Sequence, residues 1–512
     1  MSVLRRIAAG VLAGWLNAAV GVVVSLVQVR LVFRALPLDL TGVWFLFLTL
    51  AGYVTLFDLG VGPTLSREIS FALGTEGPEP ETRQRIADLV GAAARFFAWI
   101  SAGVIAVSLP AGLWFLSSVA PAAHVREVQV AWCVFVFGAA LNVFGNAAFA
   151  GLVGLGSVGA ERGVRTAVQV LYLGFLYVAL STGTGMLGLS VAWVANGAVL
   201  TAAGWTALRR ELPWLGEHRA VTAGMLRRIM APSLKWAMTA FGSLLILDTD
   251  NVIIAGVMGP ASIPAYELVA KLAGMCMYLA GLFAISSAPF VSVAHARGDE
   301  AGIRALALRN VRVGMGFMAV ACAWVLAFAG PFVDVWVGPG HFVGTAIVAV
   351  FVTMQFLEAH HRFHATIAMS MGHIVFHWWA LGAGVLNLAL TLALVRTHGL
   401  LGVALGSMLA QMLTNNWYAP VYTLRLLKLP VGPYLTTVGL PILAVLAAAL
   451  LGAVGTKLSL PDTLHPIVRM LAGGLATVAA GGAVFWLLVL EPDERGHVSR
   501  AVRQLRGKPL PS

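Results

Sequence analysis

Charge is what this sequence has least of. Asp, Glu, Lys and Arg together make up 11% of its 512 residues, against 59% hydrophobic residues. A water-soluble domain covers its surface with charge, usually about a quarter of its residues. A chain this poor in charge cannot face water all round, so a soluble globular protein is excluded and hydrocarbon must be a large part of its solvent. Cysteine is scarcer still: Cys133, Cys276 and Cys322 each lie inside an apolar run, with no CxxC spacing. That excludes a disulfide scaffold or a zinc framework and leaves three small apolar side chains. No Walker loop, hydrolase triad or zinc motif occurs, so nothing points to an ATPase or hydrolase, and the chain reads as a non-enzyme without a cofactor. The net charge of +11 would suggest nucleic acid in a soluble protein. Here no basic stripe with interleaved aromatics is present, and nucleic acid is not among the expected partners.

What the sequence does have is apolar length. A crossing needs about 20 apolar residues, and with its loop about 35, so the chain has room for about 14 crossings and no sizeable soluble domain. The runs place spans near 7–33, 40–66, 88–117, 128–154, 166–183, 187–208, 233–257, 262–291, 312–336, 342–369, 374–395, 400–424, 433–455 and 466–490. The first run is too long for a signal peptide and lacks a clean small-residue cleavage site, so it reads as a retained span. One set of loops carries Arg5 and Arg6, Arg67, Arg83 and Arg85, Arg162 and Arg165, the group from Arg209 to Lys235, Arg297, Arg304, Arg309 and Arg312, Arg425 and Lys428, and a basic tail from Arg495 to Lys508. The opposite set has Arg34, Arg126, Arg396, Lys457 and Arg469. This asymmetry places both termini in the cytoplasm. Segments 82–93 and 299–311 pattern either as short amphipathic surface helices or as solvated linkers. The Trp residues at span ends (Trp44, Trp114, Trp236, Trp336, Trp378, Trp379, Trp417) are expected in the interfacial belt.

An internal repeat is visible when residues 40–74 are laid on 262–298: an aromatic (Trp44, Tyr266) near each start, a recurring Ala-Gly, and a Ser, a basic residue and a Gly at each end. Matching positions in two six-span blocks suggest a duplicated transporter plan with the substrate site between the halves.

Two stretches carry a family resemblance. Residues 36–74, LPLDLTGVWFLFLTLAGYVTLFDLGVGPTLSREISFALG, resemble the N-terminal signature of bacterial polysaccharide exporters, the Wzx-type O-antigen and capsule flippases of the MOP superfamily, which are related to MurJ and to the MATE drug exporters. Residues 251–274, NVIIAGVMGPASIPAYELVAKLAG, resemble the start of the second lobe in the same family. The resemblance implies an all-α polytopic fold with two six-helix lobes around a central cavity and two further C-terminal helices. On this sequence that gives a first lobe at 1–208, a cytoplasmic linker at 209–232, a second lobe at 233–428, two more spans within 429–490 and a basic cytoplasmic tail at 491–512. It implies alternating access in the bacterial inner membrane. The implied cargo is a polyprenyl-diphosphate-linked oligosaccharide for O-antigen, capsule or exopolysaccharide export. Membrane lipids, a polysaccharide polymerase and a chain-length regulator are the further expected partners.

Charges at bilayer depth are costly and mark functional candidates. Arg30 and Arg34 lie one turn apart on the first span; they suit a diphosphate, which guanidinium binds bidentately, or else snorkel to the interface. Arg67, Arg95 and Lys271 are further candidate cations for the diphosphate. Asp58 precedes Gly60, Gly62 and Pro63, where the helix is expected to kink, and either pairs with an arginine or carries a coupling proton. Asp248 and Asp250 lie in the seventh span on different faces. Glu267 stands one turn before Lys271, the favourable order for an intrahelical pair. Coupling to H+ or Na+ is open at this point. Glu358, His360, His361, Arg362 and His364 form a polar cluster, expected either at the cytoplasmic mouth of the cavity or on a solvated helix end. Metal-binding membrane enzymes need histidines from several segments; here the rest are scattered singly, and no metal is expected. Two rivals stand beside the flippase: a MATE-type drug antiporter, which needs uncompensated carboxylates in its cavity, and a membrane glycosyltransferase or polymerase, which needs a large loop with acidic catalytic residues.

Overall fold

A computed structural model describes residues 3–54, 60–76, 79–213, 238–246, 248–373, 375–492 and 494–496, without the side chains of 3–13 and 74–76. Among them every regular element is a helix. Hydrocarbon offers backbone N–H and C=O groups no partner, so a spanning segment must satisfy them within itself. The helices are α1 (Val3–Ala35), α2 (Leu38–Val54), α3 (Val61–Glu76), α4 (Pro80–Val119), α5 (Val125–Gly154), α6 (Val158–Ser181), α7 (Gly185–Glu211), α8 (Met238–Ile246), α9 (Thr249–Met258), α10 (Ile263–Ala296), α11 (Glu300–Val337), α12 (Thr345–Ser370), α13 (His377–Leu413), α14 (Asn415–Leu426), α15 (Val431–Ser459) and α16 (Pro466–Val489). The described residues of the fourteen expected spans fall largely on helix. Among the described residues ten helical stretches are long and apolar enough to cross a membrane by themselves, and α8 with α9 makes an eleventh. The chain is an all-α, multi-pass membrane protein.

Several boundaries differ from the sequence reading, for local reasons. The expected second span divides into α2 and α3, and Gly60 takes a left-handed φ of 72° at the start of α3. Segments 82–93 and 299–311 are no separate surface helices. They are the first turns of α4 and α11, 40 and 38 residues long. Nothing stops either helix before the apolar run begins, and at 1.5 Å per residue each is about twice the ~30 Å hydrocarbon thickness. Asp299 caps α11 by accepting from Gly302 N at 2.8 Å. The expected eleventh and twelfth spans share α13, which breaks at Gly399 (φ 56°, ψ −138°).

Packing divides the chain into two units, Met1–Glu267 with Val375–Ala410, and Leu268–Ile374 with Gln411–Ser512. The core of the first is aromatic. Trp132 and Phe135 stack at 5.7 Å, Phe135 and Trp193 at 5.2 Å, and Trp44 meets Phe135 edge-on at 5.7 Å. Trp44 is fully buried and Trp336, in the second unit, nearly so, which corrects their assignment to the interfacial belt. Trp114, Trp378 and Trp417 are exposed, as belt residues are; Trp236 lies outside the described residues. Transmembrane helices associate by close van der Waals approach, which small residues permit. Gly138 shows this: a Cβ there would lie 2.6 Å from the Trp193 ring.

In the second unit α11 packs against α12, α15 and α16. A Cβ on Gly314 would lie 1.8 Å from the ring of Phe363. The polar start of α11 is held by ion pairs: Glu300 to Arg304 (2.8 Å) and Lys428 (2.9 Å), Arg312 to Glu491 (2.6 Å) and Arg309 to Glu494 (3.3 Å).

Candidate functional site

Each unit holds a polar cluster among its apolar helices. In the first unit, α8 and α9 are halves of one span, bent by 41°. A break leaves the last carbonyls of α8 without intrahelical partners. Asn387 of α13, fully buried, supplies them: its Nδ2 donates to Leu245 O at 2.8 Å and Ile246 O at 3.3 Å, while its Oδ1 accepts from Thr391 Oγ1 at 3.3 Å. The two helices approach so closely that a Cβ on Gly242 would lie 2.4 Å from the Ala380 backbone.

The far side of the break begins α9 with Asp248, Thr249 and Asp250, where the helix dipole favours negative charge. Asp250 is 8% exposed. Its carboxylate accepts from the Tyr266 hydroxyl at 2.5 Å and from the Ser407 hydroxyl, which lies 3.0 Å from both oxygens. Asn251, next along, donates Nδ2 to Thr49 Oγ1 at 2.8 Å and to Glu267 Oε1. Tyr53 donates to Thr249 at 3.2 Å. Helix α2 runs antiparallel along α9. Gly42 meets Pro260, with a Cβ there falling 1.8 Å from the Pro260 carbonyl oxygen; Thr49 meets Asn251; and Gly52 meets the Asp248 carboxylate.

This cluster therefore gathers two carboxylates, Asp250 and Glu267, around the buried amide of Asn251, whose Oδ1 has no partner among the described residues. Its donors are hydroxyls and an amide. An acceptor-rich, largely dry site of this kind suits a proton or a small hard cation, which bind oxygen ligands.

The second cluster lies on α12. His360 Nε2 is 2.7 Å from the Tyr434 hydroxyl, His361 Nδ1 is 2.9 Å from Asn415 O, and His364 Nδ1 is 2.8 Å from His360 O. Thr423 donates to His364 O at 2.9 Å. Glu358 and Arg362 pair one turn apart at 2.9 Å.

The candidate cations are more dispersed. Arg30 is half-buried and Arg34 exposed at the end of α1; Arg95 is exposed on α4; Lys271 is half-buried on α10. Arg67 is exposed and pairs with its neighbour Glu68 at 3.3 Å. Asp58 lies outside the described residues. A cavity of about 400 Å³ between α6 and α7, lined by Phe175, Val178, Leu187 and Val191 among others, is apolar and contains none of the candidates. Formal charge does not mark Ser407, Thr49 or Asn387, and Tyr266 stands out in the sequence only as the aromatic of the second repeat. The signal that would have found Asn387 is an amide alone in the middle of an apolar span.

No protein-family profile matches the chain. An uncharacterized membrane protein of Bacillus subtilis (strain 168), EpsK, is 22% identical over 361 residues, 68% of each chain. The lipid II flippase MurJ in an inward closed conformation superposes with a TM-score of 0.65 at 12% identity, over 93% of this chain and 98% of its own. A multidrug resistance MATE family transporter of the MOP superfamily, inward-facing, gives 0.64 at 14% identity, over 80% and 95%. The chain has the fold of these transporters.

Proposed function

Taking the MOP-transporter fold as premise, we propose that the protein flips a polyprenyl-diphosphate-linked oligosaccharide across the bacterial inner membrane, by alternating access, for export of a surface polysaccharide. The observation that carries this reading is how much of the chain each neighbour accounts for. The MATE transporter covers 80% and the lipid II flippase 93% of 512 residues. The difference is about the length of Val431–Val489, the C-terminal helix pair. The lipid II flippase therefore matches more of this chain than the MATE transporter does. No enzyme stands among the neighbours described.

In this account both termini are cytoplasmic, as the distribution of Lys and Arg requires. The diphosphate is held by basic side chains, Arg30 first, then Lys271, Arg67 and Arg95, with Arg34 beside Arg30, while the polyprenyl tail stays in lipid. In this account the α2–α9 contact, from Gly42–Pro260 to Gly52–Asp248, serves as the periplasmic gate. The site around Asp250, with Asp248 and Glu267, takes the coupling H+ or Na+. A coupling ion shifts the inward–outward balance only by its difference in affinity for the two states, and a site built across α2, α9, α10 and α13 changes whenever α2 and α9 separate. The delivered lipid-linked sugar then meets a polysaccharide polymerase and a chain-length regulator.

Reconstitution tests the reading. Purified full-length protein in liposomes should move a fluorescent polyprenyl-diphosphate oligosaccharide out of reach of a membrane-impermeant quencher, with an initial rate at least tenfold above protein-free vesicles. The carboxylates at Asp248, Asp250 and Glu267 favour one alternative, a MATE-type cation-coupled drug antiporter. Movement of ethidium without movement of the lipid-linked sugar would establish that alternative and overturn ours.

A further inference from the structure

His360, His364 and Tyr434 form a titratable cluster in the unit that does not contain Asp250, and the proposed cycle gives it no role. The two histidines are one turn apart on α12, their ring centroids 4.5 Å apart. Tyr434, at the start of α15, bonds His360 Nε2 at 2.7 Å and sets its ring edge-on to His364 at 5.6 Å. His364 is 2% and Tyr434 6% exposed.

The bonding determines where hydrogens sit. His364 Nδ1 faces the His360 carbonyl, which can only accept, so Nδ1 carries the hydrogen and Nε2 of the neutral ring keeps its lone pair. His361 is ordered the same way by Asn415 O. The His360–Tyr434 bond is different. With His360 neutral, the tyrosine hydroxyl can donate to Nε2. Once His360 gains a proton, Nε2–H must donate to the tyrosine oxygen, and the tyrosine hydrogen has to turn elsewhere. One proton therefore reverses a buried hydrogen bond that ties α15 to α12.

The surroundings let the pair hold one proton and no more. Like charges this close in a poorly solvated site oppose one another, and the two rings titrate as a unit. On α12 itself, Glu358 is bonded to Arg362. On α11, Glu300 bonds Arg304 and Lys428, Arg309 bonds Glu494, and Arg312 bonds Glu491; Asp334 lies at the other end of the helix. From α14 come Tyr418, Tyr422 (bonded by His373 at 2.8 Å) and Arg425. Lys457 of α15 donates to Ala327 O, and Arg469 of α16 pairs with Asp462.

We propose that His360, His364 and Tyr434 are a binding site for a single proton, and that its occupancy sets how α14 and the start of α15 pack on α12. The proton comes from solution and returns to it; no other bond forms or breaks.

Potentiometric difference titration of the purified full-length protein in detergent, from about pH 8 to about pH 4, tests this. The double variant His360→Gln/His364→Gln should bind one proton fewer than the wild type. Tyr434→Phe should bind the same number at a displaced midpoint. No difference, or a difference of two protons, would overturn the proposal. Thermal unfolding of each variant checks that it is folded. Should the double variant not fold, the single variants decide. Each should keep the wild-type proton count with a displaced midpoint, whereas independent histidines would each remove one proton, and inert histidines would displace nothing.

Discussion

Asn387→Leu isolates the device that makes the break between α8 and α9 tolerable. Leucine has the branched heavy-atom shape of asparagine, with methyls in place of the amide oxygen and nitrogen, so the substitution removes hydrogen bonds without opening a cavity. Asn387 is 0% exposed and donates to Leu245 O at 2.8 Å and Ile246 O at 3.3 Å. Leaving a buried carbonyl unpaired costs about 1–3 kcal/mol. Measured side-chain hydrogen bonds between transmembrane helices average ~0.6 kcal/mol and reach about 1.7, because the unfolded chain in the membrane also finds partners. The short bond to Leu245 belongs at the upper end of that range and the long one to Ile246 at the lower. Their sum, about 2 kcal/mol, is roughly a thirtyfold change in the unfolding equilibrium. The assay is reversible unfolding in mixed micelles titrated with dodecyl sulfate. Thr391→Val is the internal comparison: it removes only the 3.3 Å donation to Asn387 Oδ1 and should cost less than about 0.6 kcal/mol. An Asn387→Leu protein as stable as the wild type would refute the idea that this amide supports the break.

Other consequences can be checked alongside. Gly314→Ala puts a methyl 1.8 Å from the buried Phe363 ring and should destabilise by about 1–3 kcal/mol in the same assay; Phe363→Leu in that background should restore most of it. Gly42→Val meets the Pro260 backbone, which cannot rotate away, so α2 and α9 should part there. In a background lacking Cys133, Cys276 and Cys322, Thr49→Cys should then react with an impermeant thiol reagent, while the same cysteine beside Gly42 stays protected. Arg67→Ala, at an exposed residue already paired with Glu68 at 3.3 Å, should lower transport less than Arg30→Ala does. Arg30→Ala should lower transport at least tenfold if Arg30 holds phosphate.

The helical, multi-pass architecture was legible because a spanning segment must be long, apolar and self-satisfied in its backbone. Burial within the bundle was not. Lipid and protein interior are equally apolar, so hydropathy does not distinguish a helix face that meets lipid from one that meets another helix. Trp44 shows the consequence: placed near a span end it reads as a belt residue, yet it is enclosed by Phe47 and Phe135. The continuity of α4 and α11 was missed for a related reason, since an amphipathic stretch joined to an apolar one reads as two helices unless Gly, Pro or a cap is shown to separate them.

At the candidate site, formal charge singled out carboxylates in the seventh and eighth spans, and folding brings Asp250 and Glu267 into one network. Their partners were hidden. Ser407 is 157 residues from Asp250 and Thr49 is 202 from Asn251, and a lone hydroxyl in an apolar run costs too little to stand out. The break at Asp248 was also invisible, because no Gly or Pro marks it; the amide that compensates for it lies on α13.

The most direct test of the central claim is to deplete the protein from its native cell and analyse the polyprenyl-linked intermediates by mass spectrometry. The account predicts accumulation of one completed lipid-linked oligosaccharide, accessible from the cytoplasmic face, and its mass would identify the sugar. If no lipid-linked sugar accumulates while the cells become sensitive to cationic dyes, the flippase account is contradicted and drug export takes its place.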